Sequence, residues 1–144
     1  IQAMDLIGRK VAANKGQTAE LLMSEISYFI ELSINDLPEL KALERAVMDL
    51  SSVTESVIAR ANDDVNELGA AAVDYLHMFG YVMYGYMWAK MMVAVENHEN
   101  TGFKSSKLRT GRFYLSRILP KVKSLKSQIE SGAIPLYELA VEDF

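Results

Sequence analysis

The chain has 144 residues, half of them hydrophobic, with a formal net charge of −4 and no cysteine. That length suits one domain, and a domain of this size buries roughly two-thirds of the surface that its unfolded chain exposes. Disulfides, thiolate metal sites and cysteine nucleophiles are excluded within it, and the acidic balance argues against a general nucleic-acid binder.

The first segment, Ile1 to about Ala13, reads as a short helix already under way, with no polar cap ahead of Ile1 and no apolar signal segment. It is expected to be a cut end, continuing from a longer protein. Asn14-Lys15-Gly16 supplies a C-terminal stop. Thr18 is then placed to cap a second helix whose apolar face is Leu21, Leu22, Ile26, Phe29 and Ile30. This helix should end near Asn35-Asp36, because Pro38 discourages helical geometry at Leu37 and suits the first turn of the next helix.

The third helix, Pro38 to about Ala61, shows the cleanest periodicity. Leu40, Leu43, Val47, Leu50, Val57 and Ala61 recur at three- and four-residue spacing, with Thr54 as the polar exception. Glu39, Lys41, Glu44, Arg45 and Asp49 fall outside that stripe. Asn62-Asp63-Asp64 can cap a fourth helix, Val65 to about Asn97, with a stripe of Val65, Leu68, Ala72, Tyr75, Phe79, Val82, Tyr86, Ala89 and Val93. Leu76, Met83, Met87, Trp88 and Met92 make it apolar on other faces too, so it is expected to be the most buried helix. After the polar loop 97–102, a fifth helix runs from Phe103 to about Ser131. Its seam is Leu108, Gly111, Leu115, Ile118, Val122, Leu125 and Ile129. Gly111 leaves room for a large partner side chain, with Trp88 the candidate; Pro120 should bend the helix and Gly132 should end it. The short loops imply antiparallel neighbours. The predicted fold is all-α: an up-and-down bundle of four main helices plus a short N-terminal one.

No catalytic, cofactor-binding or metal-ligating residue is assigned. His77 and His98 are the only histidines, and no second ligand stands one helical turn from His77 on its face. The pairs Glu20/Glu25, Asp63/Asp64 and Glu142/Asp143 read as solvated or capping carboxylates rather than an acid–base couple. The run from Leu76 to Val95 nearly matches a membrane span in length, but it contains His77 and Lys90, and a central bundle helix accounts for it better. The cations Lys104, Lys107, Arg109, Arg112, Arg117, Lys121, Lys123 and Lys126 meet no acid in their own helix before Glu130. Charge complementarity with acidic neighbours is the simpler reading, and an anion-binding face is the other. The cluster Tyr81, Tyr84, Tyr86, Met87, Trp88, Met91 and Met92 is read as core, with a subunit or domain interface as its second use.

Two stretches carry a family resemblance. Tyr75-Leu76-His77-Met78-Phe79-Gly80-Tyr81-Val82 with Gly85-Tyr86-Met87-Trp88-Ala89-Lys90-Met91 is one. Lys107-Leu108-Arg109-Thr110-Gly111-Arg112-Phe113-Tyr114 with Arg117-Ile118-Leu119-Pro120 is the other. They resemble the C-terminal helical domain of bacterial-type acyl-CoA dehydrogenases, in the branch that includes the methylthiopropanoyl-CoA dehydrogenases. Gly132-Ala133 and Leu139-Ala140-Val141-Glu142-Asp143-Phe144 look like that domain's ending. The resemblance spans about Leu68 to Phe144 and is topological only from Thr18 to Asn66. Ile1-Gln2-Ala3 followed by Asp5-Leu6-Ile7-Gly8-Arg9-Lys10 resembles the stretch just after the family's catalytic Tyr-Glu-Gly-Thr motif, which this chain lacks.

The resemblance implies that residues 1–17 are the tail end of a preceding catalytic domain and 18–144 a C-terminal helical bundle. The parent would be a cytoplasmic, FAD-dependent oxidoreductase of fatty acid metabolism, itself a homo-oligomer. Its glutamate abstracts the α-proton of an acyl-CoA, hydride passes to flavin, and electrons go on to an electron-transfer flavoprotein. This chain would contribute no catalytic residue and bind no cofactor itself. It would stabilise the catalytic domain or the oligomer and border the acyl-CoA entrance. The alternative expectation is a stand-alone helical interaction module with an anion-binding basic helix. No nucleic-acid partner and no membrane span are expected.

Overall fold

Left-handed geometry at Lys15 and Gly16, with φ of 57° and 83°, makes the first reversal of the chain. A computed structural model describes residues 1–140 and residue 142. Val141, Asp143 and Phe144, which belong to the expected family ending and to the Glu142/Asp143 pair, lie outside the described residues. Ahead of the reversal, α1 (residues 2–14) is irregular: an α turn at Gln2–Met4, wide π turns over Asp5–Val11 and a 3-10 turn at Ala12–Asn14. The Gly16 N–H donates to the Val11 carbonyl at 3.0 Å, closing the stop expected there.

Helix α2 spans Gln17–Ser33 and starts on Gly16 with no side-chain cap. Thr18 does not cap it. Thr18 lies inside the first turn, and its hydroxyl accepts a hydrogen bond from the Asn14 amide. The buried row is Ala19, Met23, Ile26, Ile30 and Ser33. Leu21, expected on the apolar face, is 73% exposed because it falls opposite that row.

Pro38–Leu40 forms a tight 3-10 turn that leads into α3, Lys41–Ala61. Leu40, Leu43, Val47, Leu50 and Val57 are buried as their spacing requires, and Ala46 and Val53 widen the stripe. Thr54 is buried yet satisfied. Its hydroxyl lies 2.7 Å from the Leu50 carbonyl and shares a 2.8 Å hydrogen bond with the Tyr75 hydroxyl of the next helix. Asp49, assigned to the outside, is half-buried toward α6, where Lys126 pairs with it at 2.8 Å.

Helix α4 spans Asn66–Ala94, and the Asp64 carboxylate accepts the Asn66 N–H at 2.9 Å as the expected acidic start. Its buried row is Ala71, Ala72, Tyr75, Met78, Val82, Tyr86, Ala89 and Met92. Val65 and Val93, the two ends of the expected stripe, are exposed. A row drawn at alternating three and four residues drifts around a helix this long, and Met78 and Met92 take the inner places.

Helix α5, Thr101–Phe113, is capped by Asn100, whose side chain accepts the Phe103 N–H at 2.9 Å. The expected single fifth helix is interrupted by a π turn over Tyr114–Ile118 and resumes as α6, Lys121–Glu130. Pro120 cannot donate a backbone hydrogen bond, and the Leu119 N–H reaches back five residues to the Tyr114 carbonyl at 2.9 Å. The residue accommodated by this wide turn shifts the seam by one: Leu119 is fully buried and Ile118 only half. Gly132, with φ of 75°, ends α6 as expected.

The result is an all-α bundle. α3 lies against α4, α6 fills the groove between them, α2 covers α3 from the other side, α5 runs on α4, and α1 packs on α4 and α2. Gly111 brings α5 close to α4, but Met92, not Trp88, fills the space: a Cβ on Gly111 would collide with the Met92 thioether. Gly85 plays the same part opposite Leu43 and Leu119.

Candidate docking surface

Helix α4 has three covered flanks and one open one. Toward α2 and α3, Tyr75 meets Thr54, and the Tyr86 ring packs edge-on against Phe29 at 5.4 Å. The Tyr86 hydroxyl donates to Glu25 at 3.1 Å, and burial followed by that carboxylate pushes the phenol's pKa up. Toward α5, the Tyr114 hydroxyl donates to the Tyr81 carbonyl at 3.0 Å. Burial, then the Tyr81 and Tyr84 phenols, push the Tyr114 pKa up to about 12. The Lys107 ammonium sits over the Trp88 ring at 5.9 Å and Lys121 over Tyr81 at 5.6 Å.

The remaining flank carries Val73, His77, Gly80, Tyr84 and Met87, one row at helical spacing. Val73 is 57% exposed, Tyr84 66% and Met87 40%. No Asp, Glu, Lys or Arg stands in that row. Leu21, Tyr28 and Leu32 expose a second apolar row on α2, but Glu25 stands within it. α4 is the most buried helix, as expected, with more buried residues than any other, yet the row Val73, Tyr84 and Met87 stays exposed. The aromatic–methionine cluster divides accordingly. Tyr86 and Met92 are core, Tyr81, Trp88 and Met91 are half-buried, and Tyr84 and Met87 face outward.

The basic helix is largely absorbed by structure. Lys104 pairs with Glu96 at 3.2 Å, Arg112 with Glu39 at 2.6 Å, and Lys126 with Asp49 and Glu130 at 2.8 and 3.8 Å. Lys107 and Lys121 cover aromatic rings. Charge complementarity with neighbouring acids thus accounts for Lys104, Arg112 and Lys126, while Arg109, Arg117 and Lys123 make no ion pair among the described residues.

A buried polar junction went unread in the sequence. Glu67 is 7% exposed; it accepts Arg60 Nε at 2.8 Å and the Ala133 N–H at 3.0 Å. Arg60 also donates to Ser56 at 2.6 Å and to the Ile129 carbonyl at 3.0 Å. The Ala133 N–H, with Arg60 adding to it against the opposing effect of burial, holds the Glu67 pKa below the usual carboxylate value. This junction ties the α3–α4 turn to the end of α6.

The remaining candidates are not brought together. His77 is exposed on the open row of α4, and His98 Nδ1 accepts the Asn100 N–H at 3.1 Å. Among the described residues no three His, Asp or Glu side chains are grouped to hold a metal ion, and no helix is long and apolar enough to cross a membrane. The one buried side-chain polar atom without a partner, among the described residues, is Asn14 Oδ1 at the α1–α2 reversal. Among the described residues that acceptor is the one unpartnered polar side-chain atom in the bundle interior, so the interior residues do not fit a flavin ring.

No curated protein matched the chain. A family model described as acetyl-CoA dehydrogenase C-terminal like matches residues 22–140, which takes in α2 through α6 and the turns after it. The chain belongs to this acetyl-CoA dehydrogenase C-terminal-like family, as a C-terminal helical domain of an acyl-CoA dehydrogenase-like protein.

Proposed function

We propose that the chain is the non-catalytic C-terminal bundle of an FAD-dependent acyl-CoA dehydrogenase, of the methylthiopropanoyl-CoA dehydrogenase-like branch. Residues 1–17 continue from the catalytic domain and 18–144 form the bundle. It stabilises the catalytic domain or the homo-oligomer through the open row of α4, and it borders the acyl-CoA entrance. The parent is a cytoplasmic enzyme of fatty acid metabolism that holds FAD outside this chain and passes electrons to an electron-transfer flavoprotein. The single observation that supports this reading is the uncharged row Val73, Tyr84 and Met87, left uncovered on the central helix of a domain that belongs to this family. A row of that kind on a long helix is the usual mark of a protein contact.

The test is truncation of the parent just before Thr18, with retained flavin, assembly and acyl-CoA oxidation measured beside the intact protein. Loss of flavin and of the oligomer is expected; unchanged assembly and kinetics would overturn the reading.

A further inference from the structure

An open cleft of about 720 Å³ lies between α2 and α3. Met23 and Val47 form its buried floor, and Tyr28 and Met48 stand exposed along its sides. Glu31 and Glu44 line one end, where α2 finishes beside the start of α3, and Glu20 lines the other. Among the described residues no Lys or Arg lines this cleft, and none of the three carboxylates makes an ion pair. The cleft is an apolar strip with acid at both ends. The outer row of α5 and the turn after it carries the reverse pattern. Arg109, Phe113 and Arg117 follow at four-residue spacing, all exposed, opposite the buried row Gly111, Leu115 and Leu119. Neither arginine makes an ion pair among the described residues, and no acid stands anywhere from Thr101 to Ile129. At the helical rise the two arginines are about 12 Å apart, and Glu20 and Glu31 about 16 Å.

We propose that the α2–α3 cleft of one copy of this chain receives the outer row of α5 of a second copy, head to tail. Phe113 enters between Tyr28 and Met48, and the two arginines meet the acidic ends, where their planar forks suit carboxylates. α5 lies on α4 rather than on α2, so a chain does not fill its own cleft. A chain with a net charge of −4 would repel its copies if that charge were evenly spread. Acid gathered at the cleft and unpaired arginine on α5 instead orient one copy toward the next. Because the two surfaces differ, each contact leaves one of each kind free, and assembly runs on or closes as a ring. The contact uses neither the open row of α4 nor the dehydrogenase reading.

Sedimentation of the 144-residue chain tests it, with Tyr84→Lys present throughout to disable the open row of α4. Mass should rise with concentration at low salt, and added salt should weaken the association about tenfold or more. Glu31→Gln/Glu44→Gln and Arg109→Gln/Arg117→Gln should each sediment as monomers. Their equimolar mixture should form a dimer that grows no further, because one intact cleft and one intact α5 row remain between them. If either pair unfolds the chain, as circular dichroism would show, Tyr28→Ser mixed with Phe113→Ser carries the same comparison. A chain that stays monomeric at low salt, a mixture that stays monomeric, or association that survives both Gln pairs would overturn the contact.

Discussion

Helices α3 and α4 lie side by side in the same bundle, yet they solve burial in opposite ways. On α3 the outward positions are mostly charged: Lys41, Glu44, Arg45 and Glu55 face solvent, and Met48 is the one large apolar side chain exposed. On α4 the exposed side chains include Val73, His77, Tyr84, Met87 and Val93, and Lys90 is the one charged side chain among its exposed positions. A helix whose hydrophobic stripe ends where its cover ends is complete in its own chain. A helix whose apolar surface runs beyond its cover is matched to something outside it. The core of this domain is therefore closed within its own chain, while one flank of its central helix is left uncovered, the flank proposed above for a partner.

The largest effect should come from the inner face of α3. Leu50→Ala removes a buried side chain at the centre of the bundle and should cost about 2–5 kcal/mol in urea unfolding. A loss below about 1 kcal/mol would mean that this core is loosely packed.

The junction between the two helices comes next. Glu67→Ala leaves Arg60 and the Ala133 N–H without their shared acceptor and should cost about 3 kcal/mol at neutral pH. The sign of its pH dependence follows from the depressed pKa. The carboxylate's contribution is fully present above its ordinary value of 4.5 and is lost as pH falls through the lower folded-state value. The stability gap between wild type and Glu67→Ala should therefore narrow as pH is lowered past that range. A gap that stays constant would mean that the network contributes through shape rather than charge. Glu39 titrates in the same direction: burial is its largest single influence and raises the pKa, but the Arg112 hydrogen bond and charge together with a backbone N–H hydrogen bond lower it overall, so the wild-type acid limb has more than one source.

Gly111→Val tests the close approach of α5 to α4. Its Cβ would run into Met92, which must move or push the helices apart, at about 1–3 kcal/mol. Gly69→Ala, on a stretch of α4 where a Cβ meets nothing within 4 Å, should not destabilise the chain. The smallest effect belongs to the open row. Tyr84→Lys should change the stability of the isolated chain by no more than about 0.5 kcal/mol, because Tyr84 is 66% exposed. A larger loss would place Tyr84 in the fold rather than at a contact.

The same contrast explains what could be read from the sequence. α3 was legible in phase, including buried Thr54, because a helix with polar residues on every other side has one phase for its stripe, although buried Ala46 and Val53 and half-buried Asp49 were missed. α4 was legible as a helix and in phase along its middle, where Ala72, Tyr75, Val82, Tyr86 and Ala89 are buried as expected, but not at its ends. With apolar residues on all sides, nothing in the local pattern told Met78 and Met92 from Val65 and Val93. The seam of α5 and α6 slipped only at the π turn before Pro120, where Leu119 takes the place of Ile118, and Leu115, Val122 and Ile129 are buried as expected. The Glu67 junction was hidden because its parts come from positions 60, 67, 129 and 133, which no helical period connects.

The central claim, that the outer row of α4 is covered in the parent protein, is most directly tested by hydroxyl-radical footprinting of the intact parent beside this 144-residue chain. Met87 and Tyr84 should be strongly protected in the parent, while Met48 on α3, 65% exposed here, should label equally in both. Equal labelling of Met87 and Tyr84 in the two proteins would contradict the account and leave the open row of α4 without its partner.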